Sequence, residues 1–168
     1  DVYRGEVEAE RNIFTYAAFI SFFPQLVAGP IERTSNLLPQ IKGEHTFHRE
    51  DAVYGLKLMA WGFFKKLVIA DNLAVYVDLV FDTPQDYPGF AMLLAAFFFT
   101  IQIYCDFSGY SDIAIGTAKL FDIRLMQNFN SPYFAASVKE FWSRWHISLS
   151  TWFRDYVYIP LGGNRCSK

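Results

Sequence analysis

Tyr87-Pro-Gly-Phe-Ala-Met-Leu-Leu-Ala-Ala-Phe-Phe-Phe-Thr-Ile-Gln-Ile-Tyr-Cys105 is a run of nineteen residues without a charged side chain, bounded by Asp86 and Asp106. At a rise of about 1.5 Å per residue, a helix of this length approaches the roughly 30 Å of a bilayer's hydrocarbon core. From Ala91 to Ile103 it holds no Pro or Gly, and its polar interruptions are Thr100 and Gln102. A second uncharged window of twenty residues runs from Asn12 to Ile31, but Pro24 and Gly29-Pro30 break it. A kinked, partly re-entrant element packed in protein is as good a reading there as a straight span. A core helix of a large soluble enzyme is the competing reading for either window. Two windows in 168 residues, with 18 Phe and 19% aromatic residues, favour a membrane protein. The expected fold is all-α: a polytopic integral membrane helical protein with broken or re-entrant and amphipathic interfacial helices.

Composition excludes other classes. With 52% hydrophobic residues the chain is too apolar for disorder. Lys and Arg number 15 against 17 Asp and Glu, a formal charge of −2, so no cationic surplus exists for nucleic acid. A secretory leader does not account for the first window, which lacks a basic start and a small-residue cleavage site. The chain opens on Asp1 without Met and stops after Gly162-Gly163, and is read as an internal fragment, residues 1–168, of a single membrane domain. Cys105 and Cys166 have no metal-ligand spacing and suggest no disulfide framework.

Outward from the span, residues 34–50 read as a hydrophilic connection containing Pro39, Gly43, His45 and His48. The two histidines have no third ligand nearby, so a solvated loop is favoured and no metal is expected. Helical patterns follow from Ala52 to Phe64 and from Leu67 to Phe81, meeting where Lys65 and Lys66 can snorkel to an interface. Asp82–Gly89 is a turn. After the span comes a dense polar and aromatic stretch, Tyr104–Asp112. Asp106 and Asp112 at the end of an apolar segment are candidates for a site, or for capping and stopping helices along with Ser108 and Gly109. No glycine stands two places before Ser108, so there is no nucleophile elbow. Calcium-loop spacing, phosphate loops, dinucleotide fingerprints, repeats and low-complexity tracts are also missing.

The sharpest pattern is Phe141–Tyr156. On one continuous helix, 142, 145, 149, 152, 153 and 156 form an apolar and aromatic stripe, with Arg144, Ser148, Thr151 and Asp155 on another face. Such a Trp-rich amphipathic helix suits the headgroup region or the wall of a polar pocket. His146, at the edge of the stripe, is either a hydrogen-bonded structural residue or a group poised for proton transfer.

Four blocks, in order, resemble the membrane-bound O-acyltransferase family: Phe23–Ile31, Tyr104–Ala114, Asn128–Tyr133 and Glu140–Arg165. Within the family they are most similar to the bacterial branch that acetylates alginate. The resemblance implies a multi-pass enzyme of the bacterial cytoplasmic (inner) membrane. It would move an acyl group, usually acetyl, from a thioester donor such as acetyl-CoA to a hydroxyl of an exported polysaccharide. No tightly bound cofactor is implied. The partners implied are acceptor, donor, membrane lipids and other polysaccharide-acetylation proteins, with no nucleic acid. Family members carry a histidine pair in a tunnel. His146 corresponds to one of them, while the second, usually regarded as essential, belongs to a Leu-Trp-His-Gly type of block not found in these residues. The site set is therefore His146 as the catalytic candidate, with Asp106, Ser108, Tyr110, Asp112, Asn128, Trp142, Arg144, Trp145, Arg154 and Asp155 lining substrate or tunnel. Trp142 and Trp145 would shape the wall. Arg144, Arg154 and Asp155 either support the helix or meet an anionic donor or uronate. D-alanyl transfer to teichoic acid, or a non-catalytic transporter or scaffold of a polysaccharide-modifying complex, are the alternatives.

Overall fold

A computed structural model describes residues 1–26 and 29–165. Val27 and Ala28 of the first block, and Cys166 with Ser167 and Lys168, lie outside the described residues. The described elements are helical, with no strand among them. They are α1 (Ile13–Ile20), α2 (Thr34–Lys42), α3 (Arg49–Phe63), α4 (Asp71–Asp82), α5 (Gly89–Leu120), α6 (Val138–Arg144) and α7 (Ile147–Phe153).

The uncharged window around Phe97 does become a helix, but α5 does not stop at Asp106. It continues through Ser108, Gly109 and Asp112 to Leu120, 32 residues and about 48 Å. The expectation that these residues cap or end helices is thus corrected. Their polar groups are satisfied laterally by a neighbouring helix, which leaves the backbone ladder of α5 intact. Among the described residues, α5 is the one helix long and apolar enough to cross a membrane. The earlier window takes its broken form. Asn12 caps α1 by accepting from the Phe14 and Thr15 amides at 2.9 and 3.4 Å, and the helix ends before a short 3₁₀ turn at Phe23–Gln25.

From Arg49 to Asp82 the chain runs as one rod, antiparallel to α5. The expected division near Lys65 is a widening of the helix: Phe64–Ala70 form π-type turns, with the Asp71 amide reaching the Lys66 carbonyl five residues back. A turn around Pro84–Asp86 joins the rod to α5. Glycines set the approach of the two rods. A Cβ on Gly62 would stand 2.6 Å from the Gly109 carbonyl oxygen, and one on Gly55 would stand 2.6 Å from that of Gly116. Seven-residue spacing on both helices puts the two pairs in one antiparallel register, where backbone meets backbone and any side chain must force the helices apart. Changing Gly116 to Leu is expected to cost about 1–3 kcal/mol, measured as reduced thermal stability of the detergent-solubilised full-length protein. Gly89, which has nothing within 4 Å of its would-be Cβ, should accept Ala with little change.

Lys65 does not snorkel outward. It is 7% exposed and points into the hairpin, with its ammonium 2.7 Å from Asp112 and 2.9 Å from the Ser108 hydroxyl. Lys66 bridges Asp106 at 2.6 Å and Asp71 at 2.9 Å. At the far end of the hairpin Lys119 meets Asp51 at 2.9 Å. These ion pairs flank the glycine contacts and oppose a slip of one helix along the other.

The expected hydrophilic connection at 34–50 is corrected in its first half, which is α2. Leu37 and Leu38 are buried. Leu37 forms a small core with Ala118 and Ile123, against which Phe19, Phe22 and Ile41 pack, so α1 and α2 close over the end of α5. Gln40 fastens this junction: its side-chain oxygen accepts from the Arg124 amide at 2.8 Å, and its NH2 donates to the Arg124 carbonyl at 3.1 Å. His45 and His48 remain exposed, with His48 against the Thr46 hydroxyl.

Candidate active site

The periodicity of Phe141–Tyr156 predicts one helix, and the structure breaks it at His146. Ser137 starts α6 by accepting from the Glu140 amide at 3.1 Å, and the Glu140 carboxylate accepts from the Ala136 amide, just before the cap, at 2.8 Å. Seven residues later the helix ends. Trp145 is extended, and His146 takes the left-handed conformation, φ 44° and ψ 57°. The cause lies outside the segment. The Asn130 amide donates to the Arg144 carbonyl and the Ile147 amide donates to the Asn128 carbonyl, both at 2.9 Å. The 128–130 stretch of chain thus grips the backbone on either side of the corner.

The His146 ring lies edge-on to Phe107, with centroids 4.6 Å apart. Phe107 packs on Phe129 at 5.0 Å, and Phe129 on Trp145 at 5.1 Å. Trp145 also stacks on Phe141 at 5.5 Å. Burial alone pushes the imidazole below its ordinary value, because an aromatic surround disfavours the charged form. Among the described residues neither ring nitrogen has a hydrogen-bond partner. A neutral imidazole with a lone pair not committed to the protein can accept a proton from, or a hydrogen bond of, a hydroxyl.

The residues singled out from the sequence separate into three groups. Around His146 stand Trp145 and Asn128, together with Ser148. Asp106, Ser108 and Asp112 belong instead to the α3–α5 interface through Lys65 and Lys66. One helix serves both, because Tyr104, Phe107 and Ser111 lie at helical spacing on the face toward the His146 corner, and Ser108, Gly109 and Asp112 on the face toward α3. Arg154 and Asp155 form the third group: Asp155 pairs with Arg154 at 2.8 Å and with Arg33 at 2.9 Å. The hydrogen bond from Arg154 holds the Asp155 carboxyl below the usual range. Arg33 also lies over the Tyr156 ring at 4.6 Å. Arg144 pairs with Glu140 at 2.5 Å within α6. The expected shared face of Arg144, Ser148, Thr151 and Asp155 therefore does not form, since the break at His146 and the π-type turns at Arg154–Tyr158 rotate its members apart. Trp142 is 56% exposed and packs on Phe141. Tyr110 is half-buried on α5.

A cavity of about 520 Å³ opens between the N-terminal segment, Arg33, Trp152 and Tyr156. It does not include His146, and the chemistry of the imidazole weighs more than the size of that space in locating the site. Sequence reading missed Phe107 and Arg33, and it missed Ser111, whose signal was only its place four residues after Phe107 on α5.

Comparison with known proteins places this geometry in context. The family model described as MBOAT, membrane-bound O-acyltransferase family, matches residues 9–168. The chain is 49% identical over 166 residues to the probable alginate O-acetylase AlgI of Azotobacter vinelandii, covering 98% of this chain and 33% of that protein. It is 46% identical over 156 residues to a peptidoglycan O-acetyltransferase of Helicobacter pylori, covering 92% and 30%. It is 32% identical over 143 residues to a teichoic acid D-alanyltransferase of Bacillus subtilis, covering 84% and 36%. The chain spans about a third of the length of these curated relatives. With the family model covering nearly all of its residues, the chain belongs to the membrane-bound O-acyltransferase family.

Proposed function

We propose that the full-length protein is a multi-pass enzyme of the bacterial cytoplasmic membrane, and that it transfers an acetyl group from an acyl thioester to a hydroxyl of an exported polysaccharide. These residues are read as part of its single membrane domain, with α1 and the Phe23–Gln25 turn as the re-entrant element and α6–α7 near the interface. Alginate or a related exopolysaccharide is the acceptor. The observation that carries the reading is the imidazole of His146, which has no hydrogen-bond partner among the described residues and packs edge to face on Phe107, within the residues that match the family model. The greater identity to the acetylases, 46–49% against 32% for the D-alanyltransferase, favours acetyl over D-alanyl.

A sugar hydroxyl has a pKa far above 7 and is a weak nucleophile until a base takes its proton. In the reaction the hydroxyl oxygen attacks the thioester carbonyl, the new C–O bond forms, and the C–S bond breaks. The proton removed from the hydroxyl passes to the departing thiolate. The second histidine that the family resemblance implies is assigned as the base. His146 binds the acceptor hydroxyl and shares in moving its proton, with Trp145 and Phe107 excluding water. The lysine and aspartate groups of the α3–α5 interface hold the scaffold and do not touch substrate.

The test is acyl transfer by membranes containing the full-length protein and its neighbouring gene products. They are supplied with acetyl or D-alanyl thioesters and with alginate, peptidoglycan or teichoic acid. Acetyl ester on alginate is the expected product. Transfer of D-alanyl in its place would assign the runner-up activity, and no transfer by normally abundant protein would favour a transporter or scaffold.

A further inference from the structure

A left-handed backbone at a residue other than glycine is costly and persists only where its surroundings over-determine it. At His146 the determining group is Asn128, whose side chain is completely buried. Its Oδ1 accepts from the Ser148 hydroxyl at 2.6 Å and from the Ser148 amide at 3.4 Å. Its Nδ2 donates to the Ser111 hydroxyl at 3.2 Å, and its carbonyl takes the Ile147 amide. The Ser148 hydroxyl spends its one proton on Asn128, so its lone pairs are free to accept from the Ile31 amide at 3.0 Å. The amide orientation is set by this network, because only an oxygen can face the Ser148 N–H. Ser148 is fully buried and Ser111 is 2% exposed. Four stretches of chain, at Ile31, Ser111, Asn128 and Ser148, therefore meet within two residues of His146.

The expectation that Asn128 lines a substrate path conflicts with this burial, since contact with a ligand would require breaking those bonds in an enclosed site. We infer that Asn128 and Ser148 are positioning residues, which hold the left-handed corner and so fix the His146 imidazole against Phe107 in its working direction. This rests on the reading of His146 as a functional group, and the test separates the two.

The first measurement needs no activity. Glycine adopts the left-handed conformation without strain, so a corner made by His146→Gly no longer needs the clamp. Melting temperatures of the full-length protein in detergent are compared for native, Ser148→Ala, His146→Gly and the double variant. Ser148→Ala is expected to lower the melting temperature at least about twice as far in the native background as in the His146→Gly background. Equal losses in both would overturn the inference. If Ser148→Ala does not accumulate, Ser111→Ala, which removes only the acceptor of the 3.2 Å bond, carries the same comparison. The second measurement is kinetic. Ser148→Ala should lower kcat for acetyl transfer by about 10–100-fold, with KM for the acceptor within about twofold. A raised KM at native kcat would instead make the network a substrate contact. Full activity in His146→Asn would defeat the functional reading and leave the melting comparison standing.

Discussion

Replacing His146 by asparagine in the full-length protein is expected to lower acetyl transfer by about 10²–10⁴-fold, the range lost with a positioned proton-transfer group. Asparagine is chosen because it tolerates the left-handed conformation, so the corner gripped by Asn128 and Asn130 should survive and membrane abundance should stay native. Undiminished transfer at native abundance would remove His146 from the mechanism. The pH dependence follows from the same burial. The folded-state pKa of His146 lies below its ordinary value, so the neutral, active form persists to lower pH than for a free histidine. The part of the acid limb of kcat/KM that His146→Asn removes should lie below pH 6.5, the reference value for this side chain. Phe107→Ala, which admits water to the ring edge, should move that limb back up. The linkage has the matching sign. Well above pH 6.5 the imidazole is neutral in folded and unfolded chains alike and contributes nothing. As pH falls below 6.5 the unfolded chain binds the proton first, so stability declines with acidity through this group. Denaturation midpoints at pH 7.5 and 5.5, compared with those of His146→Asn, measure it.

Lys65→Met is expected to destabilise the protein by about 3–5 kcal/mol, the cost of breaking a buried ion pair from one side. Lys65 is 7% exposed, and its removal strands the Asp112 carboxylate against α3 with no compensating cation. Lys65→Met with Asp112→Leu should recover most of the loss, since apolar replacement of both partners removes the stranded charge as well as the attraction. The neighbouring Lys66, whose side chain is 40% exposed, should tolerate Met at about 0–1 kcal/mol. Unfolding in mixed detergent micelles reads all four proteins. A single Lys65→Met variant as stable as the native chain would show that Lys65 and Asp112 do not form a buried pair in the membrane. A double variant no better than the single would assign the loss to packing.

Much of the architecture was written in local pattern. Pro84 and Pro88 lie in the expected turn, and the uncharged run around Phe97 is the core of the long helix. The helix over Thr34–Lys42 was missed, because Pro39 and the polar residues around Leu37, Leu38 and Ile41 made the stretch read as a hydrophilic connection. The site was less legible. Asp106, Ser108 and Asp112 drew attention as polar groups beside an apolar run, and that chemistry was real. Their partners, Lys65 and Lys66, lie some forty residues away, so sequence could not say whether the carboxylates faced substrate, water or another helix.

By itself, the sequence determined which stretches are apolar enough to be helices in a membrane, and that His146 sits in a block that resembles acyltransferases. Tertiary structure decided the rest. Nothing between Phe141 and Tyr156 contains Gly or Pro, and a 3.6-residue periodicity crosses His146 without interruption, so local propensity favours one continuous helix. The two hydrogen bonds that tie the Asn128 carbonyl and the Asn130 amide to the backbone on either side of His146, with the buried Asn128–Ser148 contact, outweigh that propensity. Helix propensity amounts to tenths of a kcal/mol per residue, whereas a buried amide left without its partners costs about 1–3 kcal/mol. The chain therefore satisfies Asn128 and bends at the histidine.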